Sequence, residues 1–143
     1  MVCMDNPRFV ASYCRLFQTD KVGVLGDAEA NQVFFRQFYK RFLRNPDIAA
    51  LFANADMERQ VNMLKASLFH LIDCLDQGRP SRELVRLGAL HYQLGITPKA
   101  LDEWFSALID TVEFMDPMCD EPTKLAWCWA VAPGIFYLKS QLA

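Results

Sequence analysis

Three observations predict an all-α fold. Apolar residues recur at three- and four-residue steps along most of the chain, residues that cap or stop helices bracket these stretches, and strand-like alternation is almost missing. The 143 residues suit one domain around a single sizeable core. A hydrophobic content of 52% with 22% charged residues is globular, and 11 phenylalanines with 3 tryptophans imply a bulky aromatic interior.

The first helix is predicted from Pro7 to Gln18, with Phe9, Tyr13, Leu16 and Phe17 on one side; DKVGVLGD breaks it. Asp27 is positioned to cap the second, AEANQVFFRQFYKRFL, in which Phe34, Phe35, Phe38 and Phe42 repeat at helical steps. Pro46 lacks an amide donor and restricts Asn45, so a corner and a short helical turn ending at Phe52 follow. Asp56 caps a long helix striped by Met57, Val61, Leu64, Leu68, Ile72 and Leu75, which Gly78 and Pro80 stop. Ser81 opens a short helix carrying His91, and Gly95 closes it. Thr97 followed by Pro98 is a strong helix start, and KALDEWFSALIDTVEFM continues it with a wide apolar face. The last helix starts near Pro122 and carries Trp127, Trp129, Phe136 and Leu138; Pro133 inside it is expected to kink it.

Composition excludes several classes of function. A net charge of −2 with interspersed acids and bases offers no basic face for nucleic acid. No run of 18 apolar residues appears, and MVCMDNPRF lacks the regions of a signal peptide, so no membrane partner and a cytoplasmic location are expected. Five cysteines without CxxC spacing imply reduced, mostly buried thiols, and no CxxCH attachment of haem.

Only two histidines are present. An imidazole on an apolar helical face is by itself more often a hydrogen-bonded core residue than a metal ligand. In RLGALHYQLGI, however, Leu87 lies one turn before His91, and the pattern HxxxGI precedes the new helix at Thr97 and Pro98. This segment resembles the proximal histidine region of globins, especially bacterial single-domain globins and the globin domain of flavohaemoglobins. Four further segments are similar to globins in the same order: FYKRFLRNPDIAALF to the second helix and proline corner, RQVNML to the distal helix, LDEWFSALIDTV to the helix after the proximal turn, and AWCWAVAPGIF to the final helix. The resemblance spans Phe34 to Leu138.

It implies a three-over-three helical sandwich around haem b, as a single globin domain over residues 1–143. His91 becomes the axial iron ligand through a neutral imidazole nitrogen, its other nitrogen oriented by a backbone carbonyl a turn earlier. Leu87 and Ile96 flank it on the proximal side, and Phe52 matches the phenylalanine that wedges the haem. Gln60 and Leu64, one turn apart, match the distal residues: Gln60 offers an amide hydrogen to bound O2, a contact worth on the order of 1 kcal/mol, and Leu64 offers bulk. Counting back from Pro46 places Phe38 at the distal-pocket position where bacterial relatives often carry tyrosine. Tyr39 then points about 100° away, which weakens a role for its hydroxyl. Lys65 reads as solvated and His70 as structural, and Asp102, Glu103, Asp110 and Glu113 read as helix surface.

The resemblance implies a haem protein that reversibly binds O2, and NO or CO, for storage, transport or sensing. An alternative is NO dioxygenation with a separate reductase, since the chain ends at FYLKSQLA without a flavin or nicotinamide domain. A second alternative is a helical interaction domain without haem. Monomer and homodimer both remain open.

Overall fold

The computed structural model describes residues 5–26 and 28–142, so Asp27, the predicted cap of the second helix, and Cys3 lie outside the described residues. Among them the regular structure is seven α-helices: α1 (Pro7–Phe17), α2 (Ala28–Phe42), α3 (Pro46–Leu51), α4 (Met57–Gln77), α5 (Arg82–Gln93), α6 (Pro98–Met115) and α7 (Glu121–Ser140).

Side-chain caps set most of the starts. Asp56 accepts from the amides of Glu58 and Arg59 at 3.1 and 3.3 Å, Ser81 from Leu84 at 3.1 Å, and Thr97 from Ala100 at 3.2 Å. Each satisfies donors that a helix leaves open at its first turn. α1 ends one residue before the predicted boundary, because Gln18 adopts a left-handed conformation, φ 52°, and its amide closes back on Cys14. α7 continues through Pro133 as one helix of 20 residues.

The helices form two layers, α1, α4 and α5 against α2, α6 and α7, with the α4–α7 crossing the most extensive contact. All four predicted α1 positions, Phe9, Tyr13, Leu16 and Phe17, are buried, as are Phe34, Phe35, Phe38 and Phe42 of α2. Their rings interlock edge to face: Phe9 meets Trp127 at 4.8 Å and Phe17 meets Phe34 at 5.0 Å between centroids. On α4, Val61, Leu64, Leu68 and Ile72 are buried, while Met57 and Leu75 are only partly so. The thiols are less buried than predicted: Cys74 is enclosed, but Cys14, Cys119 and Cys128 keep partial exposure, and all four are free.

A buried polar network ties α1 to the end of α6 and to α7. The Asp116 carboxylate, with 0% of its side chain exposed, accepts two hydrogen bonds from Arg15 at 2.9 Å each and one from Ser12 at 2.6 Å. Trp127 Nε1 in turn donates to the Ser12 hydroxyl at 2.9 Å. No helix among the described residues is long and apolar enough to cross a membrane.

Candidate functional site

Between α2, α4, α5 and α6 lies a cavity of about 260 Å³. Its floor comes from α5 and the turn after it, where Leu87, His91 and Ile96 face inward, and its opposite wall comes from Gln60 and Leu64 on α4. Phe52, the residue that ends α3, closes one side. Six of the seven residues singled out from the sequence therefore meet around one space.

Phe38 is the exception, and its predicted pocket position is corrected. It is fully buried, its ring against Trp104 at 5.6 Å and Phe42 at 5.3 Å, and it does not line the cavity. Tyr39 does, with its hydroxyl donating to the Gln60 carbonyl at 3.2 Å. The reason is tertiary. α2 lies between α6 and α4, so the wholly apolar ring turns to the α6 side while the phenol takes the side where an acceptor waits. Burial pushes the Tyr39 phenol up to about 12, so it remains a neutral donor.

His91 is half-buried at the end of α5. Its Nδ1 lies 2.7 Å from the Leu87 carbonyl oxygen, one turn earlier. A carbonyl only accepts, so the proton resides on Nδ1 and Nε2 keeps its lone pair. Nε2 has no hydrogen-bond partner among the described residues. Across the cavity the Gln60 carboxamide likewise makes no hydrogen bond to a described residue, whereas its backbone carbonyl holds Tyr39. The second histidine is elsewhere: His70 Nδ1 lies 3.1 Å from the Ser81 hydroxyl at the α4–α5 junction, away from the cavity. Asp102 and Glu113 pair with Lys139 at 2.8 Å and Lys124 at 2.6 Å on the surface, as helix-surface acids do.

Several lining residues escaped sequence reading. Leu90 and Leu94 extend the α5 stripe begun by Leu87 and His91, a three- and four-residue repeat that was visible. Trp104 lines the cavity from α6 and gave no separable signal within an apolar helix. Leu51, Leu90 and Leu94 are 54%, 41% and 65% exposed although they line the cavity, so its mouth is apolar and open.

These features fit haem in two respects. No group of three or more His, Cys, Asp or Glu side chains among the described residues is placed to cage a bare metal ion. A lone, oriented imidazole in an apolar slot suits a metal that arrives with its own equatorial ligands, and an apolar macrocycle would cover the exposed leucines.

No protein-family profile matches the chain, and neither does any curated protein. Among solved structures, the chain is similar to a Pseudomonas aeruginosa protein described as structurally highly homologous to a human hemoglobin. The two share 33% identity and a TM-score of 0.78, over 99% of this chain and 98% of that one. Likeness at that identity over essentially the whole length, joined to a helical order that brings one imidazole into an apolar cleft, places this chain in the globin family.

Proposed function

We propose that this globin binds haem b in the α2–α4–α5–α6 cavity and uses it to bind O2, NO or CO reversibly in the cytoplasm, as a single domain over residues 1–143. The observation that carries the reading is His91: Nδ1 is committed to the Leu87 carbonyl at 2.7 Å, which leaves Nε2 as the basic atom toward the cavity. Bound haem would supply the iron chemistry that takes up a diatomic gas.

The chain does the rest. His91 anchors from the proximal side, and its bond to Leu87 fixes the orientation of the ring. Leu87 and Ile96 pack on that side, while Phe52 and Leu64 exclude water and limit space opposite. Gln60, whose carboxamide is otherwise uncommitted, donates to the gas ligand.

The test is the absorption spectrum of the purified protein, oxidised and dithionite-reduced, in wild type and His91→Ala. The expected result is an intense Soret band with a five-coordinate ferrous spectrum that the substitution abolishes or alters. A spectrum identical in the two proteins removes His91 from the site, and failure to take up haem leaves the helical interaction domain.

One observation favours a second reading, NO dioxygenation with a separate reductase. Tyr39, not Phe38, brings a hydroxyl to the distal wall, and the hydroxyl sits on the Gln60 carbonyl where it can steady the distal residues. Rapid NO consumption by the oxygenated protein with an added reductant, slowed in Tyr39→Phe, would move the assignment from carrier or sensor to enzyme.

A further inference from the structure

α7 is apolar on every side, which ordinarily marks a helix buried all round. From Leu125 to Leu138 it carries no charged residue. Its inner face packs on α4, α6, α5 and α1, yet the outer face is left open. Leu125 is 67% exposed and Phe136 75%, with Trp129 half-buried and Ala132 exposed between them. Their spacing of four, three and four residues is the repeat of a helix–helix seam, a row that faces one partner helix along about 16 Å. Depletion of charge along a row that includes tryptophan and phenylalanine is the composition of an interface core.

The order of residues selects the partner. We infer that α7 pairs antiparallel with α7 of a second copy of this chain, about a two-fold axis passing midway between positions 130 and 131. In that register Leu125 meets the second copy's Phe136, and Trp129 meets its Ala132, so the largest side chain of the row falls opposite the smallest. The two-fold repeats each pairing, as an isologous interface requires. The ends also match in charge: Glu121, which pairs with Lys124 of its own chain at 3.3 Å, comes beside the other copy's Lys139, which pairs with its own Asp102 at 2.8 Å, so the contact extends two existing ion pairs. A parallel pairing would set Trp129 against Trp129 and Glu121 against Glu121. Arg8, on α1, borders the groove beside Trp129 and forms an ion pair with Asp120 at 2.8 Å, giving the seam a polar rim there.

Sedimentation velocity of the purified protein across the micromolar range tests this. Wild type is expected to sediment as a dimer, and Ala132→Glu and Phe136→Ser, each at an exposed position, to weaken association about tenfold or more with unchanged helix content. Phe114→Ser, on an exposed part of α6 outside the seam, is expected to leave the dimer intact. Glu121→Lys and Lys139→Glu each weaken the dimer, and the double reversal recovers it only in the antiparallel arrangement. A monomeric wild type overturns the inference and leaves the face to a different protein. A dimer insensitive to Ala132→Glu and Phe136→Ser, one dissociated by Phe114→Ser, or a double reversal without recovery also overturns it.

Discussion

At the scale of single residues, the distal wall separates a side chain that holds the fold from one that is free to meet a ligand. Tyr39 donates to the Gln60 carbonyl at 3.2 Å and joins α2 to the first turn of α4, so Tyr39→Phe should cost about 1 kcal/mol in urea unfolding. The Gln60 carboxamide holds nothing, so Gln60→Leu should leave stability within about 0.5 kcal/mol while speeding O2 release about tenfold in flash photolysis. Unchanged release with lost stability would exchange the two roles. Asp116 is the opposite case of a side chain wholly committed to structure. Burial alone would raise its carboxyl, but hydrogen bonds from Arg15, Ser12 and the Met118 amide outweigh that and hold it below the usual carboxylate range. A depressed folded value contributes stability that is fully present above the usual carboxylate range and lost as pH falls through the folded value. Asp116→Asn should therefore cost about 3 kcal/mol near neutrality. The gap from wild type should narrow as the solution is acidified below the usual carboxylate range, as denaturant melts at several pH values would show. None of this network was legible beforehand, because its members are brought together across 101 to 115 residues of chain.

At the scale of elements, the caps explain why so many boundaries could be read. Asp56, Ser81 and Thr97 each place an oxygen on the amide that a helix start leaves open, and that chemistry is local. Which face of a helix meets which neighbour is not local. That is why the α2 positions could be predicted as buried while the sequence could not decide between Phe38 and Tyr39 at the cavity, which Tyr39 lines. The same distinction separates two helical glycines. A Cβ on Gly134 of α7 would lie 2.6 Å from Leu71 Cδ2 and 2.9 Å from Leu71 Cα, where the backbones of α4 and α7 cross. Gly134→Ala should gain about 1 kcal/mol in helix propensity but lose more to overpacking against an immovable backbone. A net loss of about 1 to 2 kcal/mol is expected. A Cβ on Gly88 of α5 would instead meet Gln141 Cγ at 3.2 Å, part of an exposed and flexible side chain. Gly88→Ala should be neutral or stabilising by about 0.5 kcal/mol. Thermal melts of the two variants beside wild type would check the contrast, and equal losses would show that α5 packs as tightly on α7 as α4 does.

For the whole molecule, the open mouth of the cavity is where folding and function meet. A chain that encloses its aromatic core completely, with Phe9, Phe34, Phe38 and Trp127 at 0% exposure, nevertheless leaves Leu51, Leu90 and Leu94 facing solvent around His91. Apolar area of this kind is unfavourable in water at roughly 25 cal/mol per Å², and a bound macrocycle would remove it. Haem binding should therefore stabilise the folded chain by mass action, by about 4 kcal/mol when free haem exceeds the dissociation constant a thousandfold. The expected result is a higher melting temperature for the haem-loaded protein than for the haem-free protein, with the gain shrinking in His91→Ala because the anchoring nitrogen is gone. The haem-free proteins should differ by no more than about 1 kcal/mol, since Nε2 of His91 supports nothing in the fold and only its Nδ1 bond to Leu87 is lost. Haem-free His91→Ala melting well below haem-free wild type would show the imidazole to be a structural residue, and the cavity would then need another anchor. A gain equal in both proteins would mean that haem enters by apolar contact alone.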